Sequence, residues 1–122
     1  MTLHNTVLIV DDEFMIVEGL TIQLEDIGIE VCGSAATASE AVSLAQQYRP
    51  RLVLMDMRLR GAEDGVDAAL VIHETVGSKV IFITGSKEPS TMARIQLDHP
   101  EGVLFKPVST AQLRSAVALA LS

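Results

Sequence analysis

Five residues stand out for the chemistry their types allow: Asp11, Asp12, Asp56, Thr84 and Lys106. Each follows at once on a short apolar run, at 6–10, 52–55, 80–83 and 103–105 respectively, the two adjacent aspartates sharing the first. If those runs are neighbouring strands of one sheet, three carboxylates, a hydroxyl and an amine meet at one edge. Clustered carboxylates repel one another and are eased by a cation. Their hard oxygens suit Mg²⁺, which takes one or two carboxylates and completes its shell with waters and phosphate oxygens. A lysine and a hydroxyl beside them can neutralise and hydrogen-bond phosphoryl oxygens. A carboxylate can itself attack phosphorus and give an acyl phosphate. The chemistry implied is Mg²⁺-dependent phosphoryl transfer onto an aspartate.

The elements that must position these groups can be read from the same runs. They are almost continuously apolar and lack the alternation of a half-wet antiparallel strand, so they read as strands buried on both faces. A fifth and weaker strand is expected at 30–35. Helices are expected between them. Residues 14–27 place Ile16, Val17, Leu20, Leu24 and Ile27 three and four apart, with Gly28 as a stop. Thr37-Ala-Ser-Glu40 has capping-box spacing and opens a helix to about Tyr48, before Pro50. Residues 66–76 carry Leu70, Val71 and Ile72 and end at Gly77, and a short helix at 90–98 ends before Pro100. Ser109-Thr-Ala-Gln112 is a second capping box, with Leu113, Val117, Ala120 and Leu121 striped behind it. Strict β-α alternation predicts a doubly wound α/β domain, (βα)5, with helices on both faces of a parallel sheet and right-handed crossovers. One domain fills residues 1–122. Ligands of such a sheet bind at the carboxyl ends of its strands, where the five residues lie.

Composition narrows the function classes. The 16 acidic residues against 9 Lys plus Arg give a formal charge of −7, which argues against a nucleic-acid surface. Four aromatics (Phe14, Tyr48, Phe82, Phe105) offer little for stacking on bases. The lone Cys32 can form no internal disulfide and points to a reducing compartment, so a cytoplasmic location is expected. No apolar run reaches 18 residues, so no membrane span is expected. His4, His73 and His99 lack metal-ligand spacing and read as surface residues, while Met15, Met55, Met57 and Met92 read as packing. Gly85-Ser-Lys87 has no glycine five residues before it, so it is not a P-loop.

Taken in order, Val7-Leu-Ile-Val-Asp-Asp12, Leu52-Val-Leu-Met-Asp56, Asp64-Gly65, Ile81-Phe-Ile-Thr84 and Phe105-Lys-Pro107 resemble the receiver domains of two-component response regulators, chemotaxis-Y-like in fold. The resemblance covers essentially the whole chain. It implies a flavodoxin-like five-stranded parallel sheet of order 2-1-3-4-5. It also implies that Asp56 is the phosphoacceptor, with a histidine kinase or histidine phosphotransfer protein as donor. Asp12, Asp56 and the backbone carbonyl of Arg58 would hold Mg²⁺, with Asp11 acting through a bound water. Thr84 and Lys106 would bind the phosphoryl oxygens, and the Lys106–Pro107 bond would be cis. No DNA-binding output domain is expected within this chain, so the downstream protein partner would bind in trans. A monomer or weak homodimer through the face of the fourth helix, fifth strand and fifth helix fits the family. Only self-phosphorylation and self-dephosphorylation are expected, not turnover of a substrate.

Several residues depart from the family pattern. Many receivers carry an aromatic three positions before the lysine, as a rotamer switch; here that residue is Val103, and Phe105 precedes Lys106 directly. Gly85 follows Thr84 where Ala is usual. The loop after Asp56 is about one residue longer than usual, and Arg58 and Ser86 occupy positions that in such domains tune acyl-phosphate hydrolysis. The switch region to watch is therefore Thr84, Gly85, Val103 and Phe105. Two other functions compete: a receiver that docks without being phosphorylated, and an aspartyl-phosphate phosphohydrolase. The latter needs a second aspartate two residues after the nucleophile, where this chain has Arg58.

Overall fold

The apolar runs become strands and the amphipathic stretches helices in a computed structural model that describes residues 2–122. In chain order the elements are β1 (His4–Val10), α1 (Phe14–Asp26), β2 (Glu30–Ala35), α2 (Ala38–Tyr48), β3 (Pro50–Asp56), α3 (Gly65–Thr75), β4 (Lys79–Thr84), α4 (Pro89–Gln96), β5 (Gly102–Phe105) and α5 (Thr110–Leu121). All four strand pairings are parallel and the sheet order is β2-β1-β3-β4-β5, as expected. The chain thus reverses its winding direction between β1 and β3, which opens a crevice at their carboxyl ends.

Alternate side chains of each central strand go to opposite faces. Leu8, Val10, Val53, Met55, Val80 and Phe82 pack with Ala38, Ala41, Ala45, Val66, Ala69, Ile72 and Ile95, so α2, α3 and α4 cover one side. Val7, Ile9, Leu52, Leu54, Ile81 and Ile83 pack with Leu20, Leu24, Leu113 and Val117, so α1 and α5 cover the other. Alanines on α2 and α3 let those two helices approach the sheet and each other closely.

Helix ends follow local chemistry, with small corrections. The helix expected over 14–27 ends at Asp26, and Gly28 takes φ +80, a left-handed turn that suits glycine. The helix expected over 66–76 runs from Gly65 to Thr75. The helix expected over 90–98 is shorter and begins at Pro89, which fits a first helical position because its missing N–H would have no partner there. The Ser109–Gln112 box closes in both directions. At Thr37 only half does: Thr37 accepts from the Glu40 N–H, but Glu40 turns to the N–H of Ala36.

Two side-chain expectations are corrected. Met15 is 76% exposed rather than packed, because it lies five residues before buried Leu20 and so about 140° around the helix from it. His73 is not a plain surface residue: its Nδ1 lies 2.8 Å from Oδ1 of Asp98, whose side chain is wholly buried. Burial pushes the Asp98 carboxyl up from its ordinary value, and His73 pulls it back. Neither Asp98 oxygen has a hydrogen-bond donor in good alignment, so the contact with His73 is one of close approach.

Candidate functional site

β1 and β3 lie side by side, with Val10 opposite Met55, so their next residues leave the sheet together. Asp11 is held by its own N–H to the Ala35 carbonyl (2.9 Å), and its Oδ1 accepts from the Glu13 N–H (2.9 Å) where α1 begins. β4 delivers Thr84 and β5 delivers Lys106, tied together by the Lys106 N–H to the Thr84 carbonyl (2.8 Å). The Lys106–Pro107 bond is cis, as the resemblance implied. Lys106 Nζ bridges Asp11 Oδ2 (3.3 Å) and Asp56 Oδ2 (3.4 Å). One carboxylate oxygen from each of Asp11, Asp12 and Asp56 lies within 4.8 Å of the others.

Above them a cleft of about 690 Å³ is lined by Asp12, Glu13, Asp56, Arg58, Thr84, Lys106 and the loop 85–88. Asp11 does not line it and is linked to it through Lys106. The Arg58 amide faces the Asp56 carboxylate. Thr84 is buried, and its Oγ1 accepts from the Ser86 N–H (3.1 Å).

Three carboxylates therefore face one ammonium, and the charge imbalance is visible at Asp56. Burial, and then the charge of Asp11, push its carboxyl up to about 6, while Lys106 and the Arg58 amide pull the other way. Burial alone would lower Lys106, but Asp56 and Asp11 outweigh it and raise its value. Asp56 is thus a carboxylate held against its preference, and the hard oxygen donors clustered with it fit a small divalent cation.

The residues singled out from the sequence are thus brought together. Gly85 borders open space, with nothing near a would-be Cβ. Val103 packs half-buried on the α2–α3–α4 side, and Phe105 pairs in register with Thr84. Lys87 stands over the Phe105 ring, 4.9 Å from its centre. The long loop after Asp56 is not slack: Arg60 bridges to Thr37, its N–H donates to Ala36 O (3.3 Å), and its guanidinium reaches the Asp12 carbonyl (3.5 Å).

Two features escaped the sequence reading. A Cβ at Gly65 would overlap the Asp56 carbonyl oxygen and lie 2.9 Å from Met55 Cγ, so α3 starts hard against the Asp56 backbone. Asp64 and Asp67 form a capping box at that start and together hold Arg94 of α4. The Asp-Gly-Val-Asp spacing was a usable signal for the cap; the arginine's part was not.

The family model for the response regulator receiver domain matches residues 7–118. Among curated proteins, the transcriptional regulatory protein PdtaR of Mycobacterium tuberculosis is 34% identical over 116 residues, covering 95% of this chain and 56% of that protein. The phyllosphere-induced regulator PhyR of Methylorubrum extorquens is 33% identical, covering 94% of this chain and 43% of that protein. The chain thus spans about half the length of the curated relatives it matches. Among solved structures, the receiver domain of a modulated diguanylate cyclase from Desulfovibrio desulfuricans superposes with a TM-score of 0.89 at 37% identity, covering 95% of this chain and 92% of that one. A CheY-like receiver domain protein from Methanospirillum hungatei gives 0.87 at 27% identity, covering 98% and 94%.

Proposed function

The chain belongs to the response regulator receiver family, and from that premise we propose that it is a signalling phosphoacceptor of a two-component system, modified on Asp56. The observation that carries the reading is the cleft itself: three carboxylates around one lysine, with Asp56 pushed up to about 6 and facing open space. An oxygen of Asp56 forms the new bond to phosphorus as the donor's bond to phosphorus breaks, its electron pair leaving on the donor. Lys106 is placed to meet the transferred oxygens once they draw it from the carboxylates, and Thr84 can turn its hydroxyl proton toward them. Mg²⁺ bound by Asp12, Asp56 and the Arg58 carbonyl would neutralise charge between the acceptor and the incoming group. Asp11 holds Lys106. Turnover is limited to self-phosphorylation from a donor and self-dephosphorylation.

Incubation with acetyl phosphate and Mg²⁺, followed by intact mass spectrometry, is expected to add one phosphoryl group to the wild type and none to Asp56→Asn. No gain in the wild type would reject the reading in favour of a docking module. Because the attacking form is the carboxylate, uptake at low Mg²⁺ is expected to halve near pH 6 and fall about tenfold by pH 5.

The physiological donor would be a phosphohistidine on a kinase or phosphotransfer protein, which must dock on the rim of the cleft. That rim carries exposed Phe14 and Met15, beside an apolar groove of about 440 Å³ lined by Met15, Ile16, Leu20, Pro107 and Val108. Met15→Glu is expected to slow transfer from the histidine donor at least tenfold while leaving uptake from acetyl phosphate unchanged. Equal loss with both donors would place Met15 in the chemistry instead. Downstream, a protein partner in trans, or a second copy, would read the face of α4, β5 and α5, where Leu97 and Leu119 are exposed. Among the described residues no helix is long and apolar enough to cross a membrane, which is compatible with the cytoplasmic setting proposed here.

A further inference from the structure

α4 has little to hold it. Its eight residues bury one side chain fully, Ile95, and its N-cap makes no side-chain hydrogen bond. What fixes it otherwise is polar and comes from two sides. At its first turn, Thr91 Oγ1 lies 3.2 Å from Ser86 Oγ, and the Ser86 N–H donates to Thr84 in the cleft. Further along, Arg94 reaches α3: Nε to Asp64 Oδ2 (3.1 Å), Nη2 to Asp64 Oδ1 (3.2 Å) and Nη2 to Asp67 Oδ1 (2.8 Å).

The second attachment does not end on an ordinary surface patch. Asp64 and Asp67 cap α3 by exchanging backbone N–H bonds of 2.9 and 3.0 Å. The next residue, Gly65, donates its N–H to the Met57 carbonyl (2.9 Å) and abuts the Asp56 backbone. A fork of guanidinium donors is the side chain suited to holding two neighbouring carboxylates at once. Arg94 therefore links α4, through the α3 cap, to the main chain of the phosphoacceptor.

We infer that Arg94 is a coupling residue that clamps α4, in the position it holds in this structure, against the Asp56 loop. The inference rests on the phosphoacceptor reading for its signalling sense. A phosphoryl group that draws Thr84 and Ser86 inward pulls the first turn of α4, while Arg94 resists from the second. α4 is then the two-state element, biased toward one state by the clamp and toward the other by the cleft. Coupling of this kind is reciprocal: a partner that takes Arg94 away from Asp64 and Asp67 favours phosphorylation at Asp56. It also supplies a route of activation that needs no aromatic at Val103. The groups of the clamp are about one-third exposed, so its loosening shifts the balance several-fold rather than completely.

The test compares the wild type with Arg94→Gln and Arg94→Lys by amide NMR, titrating beryllofluoride with Mg²⁺ as the phosphoryl mimic. Arg94→Gln is expected to bind the mimic roughly three- to tenfold more tightly, with ligand-free Met92 and Ile95 amides already displaced toward their bound positions. Arg94→Lys, which keeps the charge but not the fork, is expected to fall between. Unchanged or weaker binding in Arg94→Gln overturns the inference. Hydrogen exchange without any ligand decides the mechanical link separately. In Arg94→Gln the Gly65 amide and the α4 amides should speed up together, with β3 amides as the control for intact folding. Faster exchange in α4 alone would break the proposed link to the phosphoacceptor. A wild type that ignores the mimic would reject the phosphoacceptor reading, while the exchange result would still decide the link.

Discussion

Asp56→Asn is expected to lose phosphoryl uptake entirely and yet to unfold at a higher temperature than the wild type. The reason is that Asp56 is held in the cleft against its preference, by burial and by the charge of Asp11, with its carboxyl at about 6. A free aspartate ionises near 3.9, so the folded state binds this proton more tightly than the unfolded chain does. The destabilisation is therefore fully present above about pH 6 and fades as the pH falls from there toward 4. Two pKa units correspond to about 3 kcal/mol at most. Asparagine keeps the shape, but its amide carries no charge to pair with Lys106, whose only remaining ion-pair partner is Asp11. A net gain of about 1–2 kcal/mol at pH 8 is expected, or roughly 3–10 °C in Tm. Urea unfolding at pH 8, 6 and 4 checks it: the gap between variant and wild type should shrink stepwise and nearly close at pH 4. Equal stabilities at pH 8, or a gap that widens on acidification, would reject this account. Mg²⁺ at neutral pH should close the same gap from the other side, because it stabilises the wild type and finds a weaker site in the variant.

Gly65→Ala is expected to destabilise the protein by about 2–4 kcal/mol. The added methyl would enter the Asp56 carbonyl and crowd Met55 Cγ at 2.9 Å. Neither neighbour yields easily: β3 is paired with β1 on one side and β4 on the other, and Met55 is fully buried. α3 must move instead, which disturbs the Gly65 bond to Met57, the Asp64–Asp67 cap and the main chain that presents Asp56. Phosphoryl uptake should fall with stability. Gly85→Ala is the matched control, since a Cβ there meets nothing within 4 Å and its φ is not in the left-handed region. It should lie within about 0.5 kcal/mol of the wild type, because it loses no contact and slightly stiffens the unfolded chain. Chemical denaturation of both variants distinguishes the steric account; a Gly65→Ala protein as stable as Gly85→Ala would sink it.

Much of the site was legible because its members sit at strand ends. Asp11, Asp12, Asp56, Thr84 and Lys106 each follow an apolar run, and a strand buried on both faces announces itself locally, through unbroken Val, Ile, Leu and Phe. Helix starts at Thr37 and Ser109 were readable for the same reason, since a cap acts across three residues. The family resemblance supplied the strand order and the cis bond before Pro107. Errors fell where burial depends on a distant neighbour. Met15 and His73 have the same local look as packed and exposed residues respectively, and only the direction of the helix and the buried Asp98 opposite reverse those readings.

By itself, then, the sequence determined the β-α alternation, the carboxylates, hydroxyl and lysine that stand at the strand ends, and the positions where helices begin. These are short-range properties, set by the periodicity of apolar residues and by side chains bonding to nearby backbone. The tertiary structure alone decided which helices share a face, how far Lys106 reaches between Asp11 and Asp56, and that Gly65 must have no side chain. It alone decided that Arg94 closes on Asp64 and Asp67 from another helix. Each of those facts is a contact between segments that are distant along the chain, and no local pattern encodes the distance at which two such segments come to rest.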